Sequence, residues 1–173
     1  SITTDESVTY QKDGTAINIT YTTPDDSDYS VEAVAAGRTA VEDGLYSVED
    51  NVITLSGDLK PGSYTVTFSD DKYASKKSST LVESGLEEGS VSIENNAVVI
   101  ADNEQGLTGA DYAAQVTSVT VNGEPVKAKG IAGILFNEDG SINLDAEIEG
   151  QDGNVKVFDG SDSYEIELEA TGY

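Results

Sequence analysis

Two stretches of this chain spell out the same β-strand and its approach. Residues 62–73 read Gly-Ser-Tyr-Thr-Val-Thr-Phe-Ser-Asp-Asp-Lys-Tyr, and residues 162–173 read Asp-Ser-Tyr-Glu-Ile-Glu-Leu-Glu-Ala-Thr-Gly-Tyr. They align without a gap: Tyr64, Val66, Phe68 and Tyr73 fall on Tyr164, Ile166, Leu168 and Tyr173, an offset of 164 − 64 = 100 residues throughout. In each copy apolar residues alternate with Thr, Ser or Glu, the period of a strand with one face in a core and one in water. A chain that closes two segments in this way is built by duplicating one β domain. Its 173 residues suit two small domains, expected over 1–82 and 83–173, each with only a thin core.

The rest of the first copy reads as short strands between turns. Val8 and Tyr10 alternate within a first strand over 1–11, and Asp13-Gly14 forms a turn pair. Ile17, Ile19 and Tyr21 lie on one face of a second strand, which Pro24-Asp-Asp-Ser-Asp28 breaks. Tyr29 to Val41 has the spacing of one short helical turn leading into a strand. Tyr46-Ser-Val48 and Val52-Ile-Thr-Leu55 form a hairpin around Glu49-Asp50-Asn51, and Pro61-Gly62 turns the chain into the closing strand. Lys76 to Ser79 is polar and Leu81 to Gly89 is rich in Glu and Gly, so the domain boundary is expected there, in a segment with few residues that could join either core.

The second copy keeps this order. Strands over 90–94 and 97–101 flank Asn95-Asn96, a polar loop follows over 102–109, and Asp111-Tyr112 answers Asp28-Tyr29. Val116, Val119 and Val126 answer Val31, Val34 and Val41 at an offset of 116 − 31 = 85, and Asn122-Gly123 predicts a hairpin turn. Ile142 and Leu144 answer Ile53 and Leu55. The offset grows from 85 to 100 between Val126 and Tyr164, so about fifteen extra residues, a longer loop or an added hairpin, fall between Lys127 and Asp162. Strands this short, with turn signals every eight to twelve residues or so, indicate an all-β fold of two tandem Ig-like β-sandwich domains rather than βαβ units.

Composition narrows the function. Lys and Arg number 9 against 33 Asp and Glu, a net charge of −24. A surface this acidic repels phosphate backbones and anionic lipid, so neither nucleic acid nor a membrane surface is expected as a partner. Basic proteins and divalent cations are attracted. The chain has no His, Cys, Met or Trp, which removes the usual general base, thiol chemistry and the commonest transition-metal ligands. The start at Ser1 reads as a processed chain or an excised fragment. No signal peptide or membrane span is expected, the longest apolar run, Ile131-Ala-Gly-Ile-Leu-Phe136, being too short to cross a bilayer.

Ala97-Val-Val-Ile100, Asp111-Tyr112, Val116-Thr-Ser-Val-Thr-Val-Asn-Gly123 and the closing Tyr164-Glu-Ile-Glu-Leu-Glu-Ala-Thr-Gly-Tyr173 together resemble the Shr-like haemoglobin-interacting domain. The resemblance covers Ser90 to Tyr173 well and Thr15 to Tyr73 more loosely. It implies tandem modules of a surface protein of Firmicutes, secreted or attached to the cell wall, that bind a host protein such as haemoglobin or a matrix protein. The expected function is therefore non-catalytic. The rival expectation is a structural spacer of an adhesin, stalk or surface layer, stiffened by calcium or by end-to-end contact.

Four chemistries can be weighed on the residues. Haem iron would have to take a Tyr phenolate, with Tyr73 and Tyr173 placed for it; the competing reading is that both are packing residues. Calcium, the one cofactor in view, could be held by Asp25, Asp26 and Asp28 or by Asp159 and Asp162 with nearby carbonyls. Asn137-Glu-Asp139-Gly140 is not an EF-hand loop, because Leu135 and Ala146 fall where acidic ligands are required. Paired carboxylates could hydrolyse a glycoside, but without Trp, and with only three Phe, the chain has little with which to wall a sugar cleft. Lys127 or Lys156 could form an isopeptide bond to an Asn if a buried acid assisted.

Overall fold

The computed structural model describes residues 1–12, 17–101 and 104–173. The expected Asp13-Gly14 turn and the first two residues of the loop expected over 102–109 lie outside them. The fold is all-β, with two short helices and one 3₁₀ turn among the described residues. It divides into two compact units, Ser1–Gly85 with Gly172, and Leu86–Thr171 with Tyr173.

Among the described residues unit 1 holds nine strands: β1 (Thr3–Thr4), β2 (Ser7–Thr9), β3 (Ile17–Thr22), β4 (Ser30–Ala36), β5 (Thr39–Ala40), β6 (Tyr46–Glu49), β7 (Val52–Leu55), β8 (Gly62–Ser69) and β9 (Lys76–Glu83). One sheet runs β1-β3-β7-β6 and the other β2-β9-β8-β4-β5. With β3, β4, β6, β7, β8 and β9 as strands B to G, this is the strand order of an immunoglobulin-type sandwich. The expected first strand over 1–11 is split between the sheets. β1 pairs antiparallel with β3 and β2 parallel with β9, and the switch is held where the Thr80 hydroxyl donates to the Asp5 carbonyl at 2.7 Å. Alternation buries Ile17, Ile19 and Tyr21 of β3 against Tyr64, Val66 and Phe68 of β8, with the Tyr21 and Phe68 rings 5.1 Å apart.

Two expectations for this unit fail. No helical turn forms over 29–41; β4 and β5 make a hairpin there, because the β-branched and alanine residues pair with β8 instead. The polar segment Lys76 to Ser79 is not linker. It opens β9, which lies between β2 and β8 and buries Thr80 and Val82 completely; Lys and Ser on its outer face masked a strand with a buried inner one.

Unit 2 contains β10 (Val91–Glu94), β11 (Ala97–Ile100), α1 (Gly109–Ala113), β12 (Val116–Val121), β13 (Glu124–Val126), α2 (Ile131–Leu135), β14 (Glu147–Gly150), β15 (Gly153–Lys156) and β16 (Ile166–Ala170). The sheets are β10-β11, β13-β12-β16 and β14-β15. Asn95 and Asn96, with φ of 51° and 60°, make the expected hairpin turn, and Asn122-Gly123 makes the next. The extra residues hold an added hairpin, β14-β15, and also α2, whose Ile131 and Leu135 sit in the core. Ile142 is buried, but it forms an isolated bridge to Phe136 rather than a strand like β7, and Leu144 is exposed. The closing strand begins at Ile166, so Tyr164 stands outside it.

Candidate functional site

Unit 2 opens a cleft of about 690 Å³ beside β16, within the size range of ligand sites. Leu86–Val91 form one wall and Leu168–Thr171 the other, with Tyr112, Thr117 and Tyr173 between them. The first wall is stapled into a turn: the Ser90 amide and hydroxyl both donate to the Glu87 carbonyl, at 3.2 and 2.6 Å. The Ala101 amide then donates to the Ser90 carbonyl and ties that turn to the β10-β11 hairpin.

α1 places Tyr112. Thr108 accepts from the Asp111 amide at 3.1 Å while the Asp111 carboxylate accepts from the Thr108 amide at 2.8 Å, a capping box that starts a helix of only five residues. Gly109 lets the helix lie on β11, since a Cβ there would stand 1.8 Å from the Val98 carbonyl oxygen. Tyr112 is buried and meets the Tyr173 ring edge-on at 5.2 Å. Burial, and secondarily the Glu169 carboxylate, push the Tyr112 hydroxyl above its ordinary pKa. The rim is acidic, with Glu87, Glu88 and Glu169 all exposed.

Residues 86–173 match the family described as heme-binding protein Shr-like, Hb-interacting domain. The chain belongs to this family. Shr-like domains are binding modules of surface proteins of Gram-positive bacteria. Among the described residues no helix is long and apolar enough to cross a membrane. A search of the curated proteins found no match. Among solved structures, that titled "Crystal structure of murine CEACAM1b" is similar at 11% identity over 98% of this chain and 92% of that one, with a TM-score of 0.33.

The Shr-like domain gathers few of the residues singled out from sequence. Asp25, Asp26, Asp28, Asp159 and Asp162 are all exposed, and among the described residues no group of three or more acidic side chains could hold a metal ion. The Asp28 amide donates to Asp70 at 2.6 Å. Asp159 accepts from the Ser161 hydroxyl and amide at 2.6 and 3.1 Å, and these bonds hold its carboxyl below the ordinary range. Lys127 and Lys156 are exposed, in no position for a bond that requires a buried acid.

Haem fits these residues poorly. Tyr73 is 51% exposed and stacks on Tyr29 at 6.2 Å. Tyr173 reaches the cleft, whose rim carries three carboxylates that would repel an anionic group such as haem and whose lining offers no His, Met or Cys. Sequence reading missed Glu87, Glu88 and Glu169 because, among 33 acidic residues, none stands out. It also missed α1, although Thr108 followed by Asp111 three residues later is a helix-start signal.

Proposed function

We propose that this chain is a non-catalytic surface module whose unit 2 captures a host protein through the acidic cleft beside β16, with haemoglobin the first candidate. The observation that carries this is the family match, which spans the whole unit that holds the cleft. Glu87, Glu88 and Glu169 on its rim would steer a basic surface and speed association at low salt. Tyr112 and Tyr173 line the cleft with apolar ring surface. The module works outside the cell, on the surface or wall, and takes no haem ligand of its own.

Biolayer interferometry of the full chain against haemoglobin tests the reading. Measurable capture, weakened about threefold to tenfold in the Glu87→Lys, Glu88→Lys double variant, supports it. Capture that the double variant leaves unchanged would move the site elsewhere, and no capture of haemoglobin would remove that partner.

A further inference from the structure

Unit 1 carries a hollow of its own, of about 520 Å³, outside the residues that the family match covers. It lies between the loop joining β3 to β4, residues 23–29, and the loop joining β8 to β9, residues 70–75. With β3 and β4 as strands B and C and β8 and β9 as F and G, these are the B–C and F–G loops. Immunoglobulin variable domains bring the same two loops together for recognition. That likeness is one of topology alone, so the ligand has to be read from the side chains.

One carboxylate ties the two loops together. Asp70 accepts from the Asp28 amide at 2.6 Å through one oxygen and from the Lys72 amide at 2.7 Å through the other. The residues that follow those amides, Tyr29 and Tyr73, are thereby set side by side. Their rings lie 23° from parallel with centroids 6.2 Å apart, and the Tyr29 hydroxyl donates to the Ala74 carbonyl at 2.9 Å. The Ser27 amide and hydroxyl both donate to the Pro24 carbonyl, at 3.1 and 2.7 Å, which fixes the rest of the B–C loop. A stacked pair pinned in this way loses little freedom when a ligand settles on it. Yet Tyr73 is the most exposed of the nine tyrosines, so its ring serves the core least.

The rim of the hollow is mixed in charge, with Asp26 on the B–C loop and Lys76 and Lys77 at the start of β9, all exposed. A carboxylate only accepts hydrogen bonds and an ammonium only donates them. A hydroxyl does both, so a ligand rich in hydroxyls satisfies the two together. An anion would be set against Asp26 and a net charge of −24, and a cation against the lysines. The tyrosine faces call for the flat apolar side of a ring, with C–H groups directed at the π cloud. We infer that the B–C and F–G loops of unit 1 bind a neutral pyranose residue of a glycan, with Tyr29 and Tyr73 against the ring, Asp26 accepting from its hydroxyls and Lys76 and Lys77 donating to them. Counting Trp and Phe overlooks this wall, because both of its rings are tyrosine. The sugar is held and not cut: Asp26 is the only carboxylate among the described residues that line the hollow, and hydrolysis takes a pair. This site is independent of haemoglobin capture by unit 2.

The probes are lactose, maltose, mannobiose and chitobiose, titrated into the full chain to about 20 mM and followed by amide-resolved NMR. Glucuronic acid and glucosamine serve as charged controls. At least one neutral sugar should shift amides of residues 24–29 and 70–77 and receive saturation from the tyrosine rings. Tyr73→Ala, whose melting temperature should stay near that of the parent because the ring is exposed, should weaken binding at least about fivefold, and Tyr73→Phe should retain it. Asp26→Ala should weaken binding about threefold. No response to any neutral sugar, shifts confined to other residues, or equal binding by Tyr73→Ala would each overturn sugar binding. Tighter binding of glucuronic acid or glucosamine would overturn the neutral class and make the hollow an ion site. Haemoglobin capture that Tyr73→Ala abolishes, with no response to sugars, would make these loops a protein-docking surface and overturn the proposal as well.

Discussion

The pairing of β4 with β8 and that of β12 with β16 repeat one construction. The hairpin to β5 joins Ala35 to Ala40 and Ala36 to Thr39; the hairpin to β13 joins Thr120 to Pro125 and Val121 to Glu124, all displaced by 121 − 36 = 85 residues. The register breaks between Val31 and Ala33 in one unit and between Val116 and Ser118 in the other, at the same displacement. The closing strands, however, are not displaced by 100. Tyr64 lies opposite Ala36, whereas Ile166 lies opposite Val121, so the structural displacement is 166 − 64 = 102. A strand pattern of period two looks the same after sliding by two residues, because every side chain stays on its own face. Matching tyrosines chose the wrong one of two equivalent registers.

The two tyrosines still do related work. Tyr64 donates to the Lys60 carbonyl at 2.5 Å, four residues back, the corner bond that immunoglobulin-type sandwiches make at the start of this strand. Tyr164 also reaches back four residues, accepting from the Gly160 amide at 2.7 Å, and lies near Asp159. Tyr64 is buried inside β8; Tyr164 is half-buried ahead of β16 with its ring against Phe158 at 4.9 Å.

The contrast between a fully buried strand face in unit 1 and a partly buried one in unit 2 can be broken by truncation. Phe68→Ala, at a fully buried position, should cost about 4 kcal/mol, and Leu168→Ala, at a partly buried one, only about 2 kcal/mol, read by urea unfolding of the full chain. Equal losses would mean that the two faces are packed alike. Glycine is next. Gly109→Ala drives a methyl into the Val98 carbonyl and should cost about 2–3 kcal/mol, while Gly44→Ala in unit 1 meets open space and should be nearly neutral.

The corner bonds should separate by a smaller margin. Tyr64→Phe removes the donor to the Lys60 carbonyl and should cost about 1–2 kcal/mol, against less than about 1 kcal/mol for Tyr164→Phe in its wetter site. Alkali sharpens the same point. Burial pushes the Tyr64 hydroxyl up to about 12 from 10.0. The folded state therefore keeps a proton that the unfolded chain releases above pH 10, so the Tyr64 contribution to stability is intact below pH 10 and is lost as pH rises toward 12. The pH slope of the melting temperature in that window should flatten in Tyr64→Phe. Smallest of all, haemin titrated into either the parent chain or Tyr173→Phe should leave the Soret band where free haemin has it.

Local chemistry made much of this legible from residues alone. Asn95-Asn96, Asp50-Asn51 and Asn122-Gly123 take positive φ and turn hairpins, and alternation marked Ile17, Ile19, Tyr21, Val66 and Phe68 as core. These are short-range effects, encoded within a few residues. The acidic charge and the missing His and Cys likewise follow from counting. β9 was hidden because its buried face carries Thr80 and Val82 among lysines and serines, and only its place between β2 and β8 makes it interior. The register of β16 and the meeting of Tyr112 with Tyr173 were decided by tertiary structure. Each depends on which strand lies beside which, and a pattern that repeats every two residues carries no record of its neighbour.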